Sequence, residues 1–207
     1  NINKPSKINV LFVNAEDDSF LKRIFTDDEF NLTSTTLNQL EYNLILQQHL
    51  IVLNELESVP NALSVALKSF TEQGGSLLII PSKKSDKASY NELLSNYGSK
   101  FNDLLETEKR ITNINYAHPL YNKGVFEKQI KNFQYPTVTS YFTVSSNNAS
   151  NVLQFDDGKP FLFQSQNVYV FTSSLTTENS NFKNTPLIVP TLYNIGKFSF
   201  KNAALYF

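Results

Sequence analysis

The sequence predicts an α/β domain with a mostly parallel sheet and added antiparallel strands in its C-terminal half. Two apolar runs, His49 to Leu53 (HLIVL) and Ser76 to Ile80 (SLLII), lack polar alternation, the pattern of strands covered on both faces. Between them lies a stretch of helical spacing stopped by Gly74-Gly75, so strand, helix and strand follow one another as a crossover unit with parallel strands. From Ile111 onward the texture changes, with aromatic and β-branched residues alternating with polar ones as in antiparallel strands.

Taken in order, Ile8 to Val13 (INVLFV) reads as the first strand and Asn14 to Asp18 as a polar loop at its end. Ser19 to Phe25 then places Phe20, Leu21, Ile24 and Phe25 on one helical face, with Asp17 or Asp18 in position to cap it. Phe30 to Leu32 is a short strand, and Thr35 to Tyr42 is a connection without a strong period. After the His49 to Leu53 strand, Pro60 falls near the first turn of a helix, where a missing N–H costs nothing. Ala62, Leu63, Ala66, Leu67 and Phe70 form that helix's apolar face. A further helix covers Ser89 to Tyr97 and ends at Gly98.

In the second half, strands are expected within Phe133 to Val144, Val152 to Phe155, Pro160 to Gln164 and Val168 to Thr172. Asp157-Gly158 supplies a hairpin turn, and Ser165 to Asn167 a second connection. The polar stretches Ser145 to Asn151 and Thr176 to Asn184 read as loops. Leu187 to Ile195 reads as a closing helix despite Pro190. No repeat or interdomain linker breaks the chain, so residues 1–207 are expected to form a single domain.

Composition excludes several chemistries. A net charge of −1 and a pI near 6.2 give no basic surface for nucleic acid. With no Cys there is neither a disulfide framework, nor a thiolate metal site, nor a cysteine nucleophile. No apolar run approaches the ~20 residues of a spanning helix. The chain has no Met, which suggests a processed product or a domain cut from a larger protein.

Functional candidates cluster after predicted strands, where open α/β sheets bind ligands. Asn14, Glu16, Asn54, Glu55 and Ser82 all occupy such positions and could converge on one cleft for a small molecule such as a sugar or peptidoglycan fragment. Ser82 follows the SLLII strand, where many α/β enzymes hold a nucleophile, but it lacks the flanking glycines of G-x-S-x-G and is preceded by Pro81. A base would have to be His49 or His118, the only two histidines, and both sit in structural contexts. A Ser82–His118 pair, or a metal-assisted site on Glu16 and Asp17, is the weaker alternative. No phosphate, dinucleotide or zinc fingerprint is present, so no cofactor and no catalytic or metal-binding residue is assigned. Phe133, Tyr135, Tyr141 and Phe142 could form an aromatic binding face, though core packing explains them more simply.

The segments LIVLNELESVPNALSVALKSFTEQGGSLLIIPS, YAHPLY, NFQYP and ENSNFKNTPLIVPTLYNIG resemble the soluble domain of Bacteroidetes membrane proteins that begin with a BatA-type (aerotolerance-related) double-transmembrane segment. The resemblance spans roughly Ile8 to Gly196. It implies a class I glutamine amidotransferase-like, flavodoxin-like α/β sandwich. In working amidotransferases a nucleophilic Cys follows the strand placed like Ser76 to Ile80, and a downstream His and Glu complete the triad. Here that position falls near Pro81 or Ser82, so the resemblance implies a fold kept for binding. It would be tethered to a bacterial inner membrane and face the periplasm, with other envelope proteins as partners. Any membrane contact would come through segments of a parent protein.

Overall fold

The computed structural model describes residues 6–121 and 134–204, with side chains to residue 200. The first strand, β1 (Ile8–Asn14), pairs in parallel with β2 (Phe30–Thr36) on one side and β3 (Leu50–Asn54) on the other. Next to β3 lies β4 (Ser76–Ile80), and next to β4 lies β11 (Val168–Phe171), both again parallel. Beyond β11 the direction reverses through β10 (Pro160–Ser165), β9 (Ser150–Phe155), β6 (Lys109–Ile114) and the short β7 (Thr137–Val138). Among the described residues this makes a nine-stranded sheet in the order β2-β1-β3-β4-β11-β10-β9-β6-β7.

Strand alternation divides the core into two layers. Val10, Phe12, Leu50, Val52, Leu78, Ile80, Tyr169 and Phe171 face one side, where they meet Phe20, Leu21 and Ile24 of α1 (Ser19–Ile24) and Leu192 and Ile195 of α4 (Ile188–Ala204). Leu11, Val13, Ile51, Leu53, Leu77, Ile79, Val168 and Val170 face the other. There they meet Leu63, Leu67 and Phe70 of α2 (Asn61–Glu72) and Tyr90, Leu93 and Leu94 of α3 (Lys87–Ser95). Burying each such side chain contributes about 1.5–3 kcal/mol. β3 and β4 are buried at every position, which explains their unbroken apolar sequence.

Local chemistry sets the ends of these elements. Gly74, with φ +95°, takes the left-handed conformation that closes α2 and turns the chain into β4. Pro60 is the N-cap of α2, and its carbonyl accepts from Ser64 N–H at 3.0 Å. Gly196 lies where a Cβ would stand 2.7 Å from the Phe25 ring and 2.9 Å from that of Phe30, so α4 can pack onto α1 and β2 only without a side chain there. Pro190 is the third residue of α4, inside the first turn, where its missing N–H removes no helical bond.

Several expectations from sequence are corrected. β2 runs on to Thr36, because β-branched threonines suit an edge strand whose outer face is wet. Two 3-10 turns, Leu37–Gln39 and Tyr42–Gln47, fill most of the connection that follows. An unforeseen strand, β5 (Ser99–Leu105), pairs with β8 (Tyr141–Ser146) in a separate two-stranded ribbon. The Phe101 and Phe142 rings stack at 4.7 Å and belong to the α2/α3 core layer. The expected loop Ser145 to Asn151 shrinks to residues 147–149 because β8 and β9 extend into it. α3 lies two residues earlier than expected, and α4 reaches Ala204. The hairpin turn at Asp157-Gly158 is present, with Gly158 N–H donating to Phe155 O at 2.9 Å. No helix among the described residues is long and apolar enough to cross a membrane.

Candidate functional site

Parallel strands end together, so β1, β3 and β4 deliver their terminal residues to one edge of the sheet. Asn14 and Asn54 are register partners there, and Asn54 Nδ2 donates to Asn14 Oδ1 at 2.9 Å and to Glu16 O at 3.1 Å. Asn14 Nδ2 donates in turn to Ser34 Oγ at 2.9 Å and Asp18 Oδ2 at 3.2 Å. Either Asp17 or Asp18 was expected to cap α1; Asp18 is the N-cap residue, but its side chain makes no cap bond. Asp18 instead accepts from Ser34 Oγ at 2.5 Å and pairs with Lys22 at 3.5 Å, tying the start of α1 to β2. Asn54 is fully buried, and its Oδ1 has no hydrogen-bond partner.

Glu55 is the most unusual residue of the group. It has φ +59°, a left-handed conformation that costs a non-glycine residue about 1–3 kcal/mol. Its backbone N–H still continues the ladder, donating to Ile80 O at 2.9 Å. The side chain is only 3% exposed, and its carboxyl accepts a short hydrogen bond from Ser174 Oγ. Burial pushes the Glu55 carboxyl up to about 7. The Ser174 hydroxyl opposes that shift, the Glu16 charge adds to it, and the Leu175 N–H and Lys183 charge oppose it.

Ser174 belongs to a serine- and asparagine-rich stretch after β11 whose centre is Asn179. Asn179 Oδ1 accepts from Ser140 Oγ at 2.6 Å, Thr139 Oγ1 at 2.9 Å and Ser140 N at 3.0 Å. Its Nδ2 donates to Ser173 Oγ and Ser174 O, both at 2.7 Å, and to Ser140 O at 3.3 Å. The amide is therefore saturated in a buried setting, and it fixes the stretch that covers Glu55. Sequence reading missed Ser140, Ser173, Ser174, Asn179 and Lys183. The one available signal was a dense Ser/Thr/Asn run directly behind a buried strand, where loops pair polar groups rather than leave them unsatisfied.

Ser82 lies at the same edge, after β4, but is tied into its own turn. Its Oγ accepts from Lys84 N–H at 3.0 Å, while its N–H donates to Ser85 Oγ at 2.8 Å. Ser85 Oγ and the Tyr90 hydroxyl both donate to Leu56 O, at 3.1 and 2.5 Å. Neither Pro81 nor Ser82 has a positive φ, so the strained residue at this edge is Glu55 on the neighbouring strand.

His118 does not reach Ser82. Its Nδ1 accepts from Leu120 N–H at 3.1 Å, which leaves Nε2 to donate to Gln164 Oε1 at 2.6 Å. Burial lowers its pKa, with the Gln164 bond opposing. His49 Nδ1 accepts from Asn9 N–H at 2.9 Å, and burial lowers its pKa as well. Among the described residues, no group of three His, Cys, Asp or Glu side chains is placed to hold a metal. Of the expected aromatic face, Tyr141 and Phe142 are core residues, Tyr135 is exposed beneath the Arg110 guanidinium, and Phe133 lies outside the described residues.

A cavity of about 560 Å³ opens at the opposite edge, lined by Ile8, Glu29, Tyr193, Lys197, Phe198 and Phe200 among others. It takes in none of the strand-end residues. The Glu29 carboxylate there accepts from the Tyr193 hydroxyl at 2.7 and 2.9 Å and pairs with Lys197 at 3.2 Å. The Tyr193 and Lys197 hydrogen bonds hold its pKa below the usual carboxylate value.

No protein-family profile matches the chain, and no curated protein matches it. Solved structures do resemble it in fold. A ThuA-like protein from Bacteroides uniformis aligns with TM-score 0.64 and 12% identity, over 96% of this chain and 94% of its own. A GMP synthase-type protein from Thermoplasma acidophilum aligns with TM-score 0.61 and 7% identity, over 97% and 98%. The mmIFT52 N-terminal domain gives TM-score 0.58 and 17% identity, over 95% and 97%. At these identities the likeness is one of fold. The fold is flavodoxin-like and shared with glutamine amidotransferase-type domains: a large, mostly parallel sheet, extended by antiparallel strands.

Proposed function

We propose that this chain is a noncatalytic binding or scaffolding domain. The observation that carries this reading is the state of the position where amidotransferases of similar fold hold their nucleophile. Pro81-Ser82 stands there, the chain has no Cys, and the Ser82 hydroxyl is engaged with Lys84 N–H. His118 has both ring nitrogens engaged by Leu120 N–H and Gln164, His49 Nδ1 accepts from Asn9 N–H, and neither histidine is hydrogen-bonded to Ser82. On the sequence resemblance, the domain belongs to a membrane-anchored bacterial envelope protein, faces the periplasm and has other envelope proteins as partners.

The test has two arms. The purified chain is incubated with glutamine, with a panel of simple esters and amides, and with a fluorophosphonate probe. No turnover and no adduct are expected, and an adduct lost in Ser82→Ala would overturn the reading. In parallel, the domain is used as bait on detergent-solubilised envelope with Leu78→Asp, which disrupts the buried core, as control. A partner captured by the wild type and lost with the control supports scaffolding.

A second reading, a small-molecule sensor, is supported by one specific feature. Asn14, Glu16 and Asn54 are joined by hydrogen bonds, Glu55 follows directly, and Asn54 Oδ1 is a buried acceptor without a donor. A ligand that brings hydroxyl or amide donors, such as a sugar or peptidoglycan fragment, would satisfy it. Titration with N-acetylglucosamine and with muramyl dipeptide, followed by thermal shift, checks this. Binding that is lost in Asn54→Ala supports the sensor reading, and no shift with either ligand at millimolar concentration counts against it.

A further inference from the structure

We propose that β2 is a self-association edge: two copies of the chain pair antiparallel along it, about a two-fold axis at Ser34, and so join their sheets. The proposal rests on neither reading of the strand-end site, because β2 is the lateral edge of the sheet and the pairing uses its backbone groups.

The hydrogen-bond parity of β2 shows which of those groups are open. Ile8 N–H donates to Glu29 O at 2.9 Å, and in a parallel ladder every second residue from there faces β1. Asn31, Thr33 and Thr35 therefore point their backbone groups at β1, while Leu32, Ser34 and Thr36 point theirs away from the sheet. Phe30 N–H also faces out and is satisfied locally by Thr26 O at 3.0 Å. Among the described residues no acceptor is placed on the N–H of Leu32, Ser34 or Thr36. Neighbouring side chains do not close the gap, because Ser34 Oγ is turned to Asp18 at 2.5 Å and Asn31 Nδ2 to Asn9 Oδ1 at 3.1 Å. Of the three outward carbonyls, Thr36 O accepts one weak bond, from Thr35 Oγ1 at 3.3 Å.

The two edges of the sheet are finished differently. At the far edge β7 has two residues, Val138 bridges to Ser180, and the β6–β9 and β9–β10 pairings carry register shifts, all devices that blunt an edge. β2 has seven residues in unbroken register with β1, and it contains no charged residue, proline or glycine to deter pairing. Its sequence also fits itself. A two-fold axis at Ser34 sets Leu32 opposite Thr36 of the second copy and Ser34 opposite its own equivalent, and each such pair exchanges both N–H···O bonds. Between them Thr33 faces Thr35 of the second copy, a threonine pair of the kind that stabilises antiparallel sheets. The acidic run Asp27-Asp28-Glu29 directly precedes β2, so antiparallel pairing sends the two runs to opposite ends. Parallel pairing would lay them side by side, where like charges oppose it. A net charge of −1 leaves little long-range repulsion between copies.

Sedimentation equilibrium of the whole chain, from micromolar to submillimolar concentration, reads the pairing. The mass should rise with concentration from 23.5 kDa toward twice that value. Exposed Thr33 and half-buried Thr35 carry the test of register. Thr33→Lys combined with Thr35→Lys sets lysines opposite one another and should raise the dimer Kd about tenfold or more. Thr33→Lys combined with Thr35→Glu makes opposite-charge pairs in the register about Ser34 and should restore or tighten the dimer. Amide hydrogen exchange of the wild type needs no variant: the N–H groups of Leu32, Ser34 and Thr36 should slow as concentration rises, while those of β7 do not change. A dimer indifferent to the lysine pair, or not recovered with the lysine and glutamate pair, overturns the proposal. Protection of the three N–H groups that does not vary with concentration overturns it too, since the edge is then covered from within its own chain. A chain that stays monomeric with those groups exchanging freely overturns self-pairing and leaves the edge to an extended segment of another protein.

Discussion

Glu29 and Glu55 sit at opposite ends of the same sheet and answer the same problem in opposite ways. Glu29 precedes β2 at the edge where the strands begin, stays in water, and gathers a tyrosine and a lysine around its charge. Glu55 follows β3 at the edge where parallel strands end, is withdrawn from water, and meets a hydroxyl, an N–H and a neighbouring carboxylate. One carboxyl is held below its ordinary pKa by partners, while the other is raised by burial despite its partners. The difference shows that desolvation outweighs a few hydrogen bonds when a group is nearly sealed, and that partners prevail when solvent shares the cost. It also separates a surface tie from a group poised to respond to pH.

The comparison can be broken most forcefully at the hub that seals the Glu55 end. Asn179→Ala removes six hydrogen bonds and leaves several buried groups unpaired, so a loss of about 3 kcal/mol or more is expected in urea unfolding at pH 7. A loss under about 1 kcal/mol would mean that the covering stretch is held by something else.

Glu55→Gln sharpens the contrast. At pH 5 its stability should match the wild type to within about 0.5 kcal/mol, and by pH 8 it should exceed it by about 2 kcal/mol. The sign follows from a folded-state value raised to about 7, whose stabilising contribution is complete below about 4.5 and lost as pH rises through 7. Parallel curves for the two proteins across that range would put both carboxyls in the same class.

Tyr193→Phe probes the other end. Glu29 has a lowered pKa, so its contribution is present above the ordinary carboxylate value and vanishes as pH falls through the folded one. Its exposure and screening limit the loss to under about 1 kcal/mol at pH 7, measured by denaturant titration and fading towards pH 3. The smallest effect is expected at Ser82. Removing its hydroxyl in Ser82→Ala deletes one turn hydrogen bond and should cost under about 1 kcal/mol, with no change in any measured activity.

The sequence by itself determined the parallel core and much of the strand-end geography. β3, β4 and the helix between them were legible because strands buried on both faces cannot carry polar residues, and because Gly74 marks a left-handed stop. Asn14, Glu16, Asn54, Glu55 and Ser82 were placed at one edge by the same logic, since parallel strands end together. β5 and the extended β2 were obscure because edge and ribbon strands bury only alternate or scattered residues, leaving a weak pattern. Only the tertiary structure decided which of the five carries unusual chemistry. Burial, backbone strain and the cover from residues far along the chain converge on Glu55, and no local pattern encodes desolvation by a segment more than a hundred residues away. The same holds for Ser82, whose position suggested a nucleophile until the geometry placed its hydroxyl in a turn and both histidines among other partners.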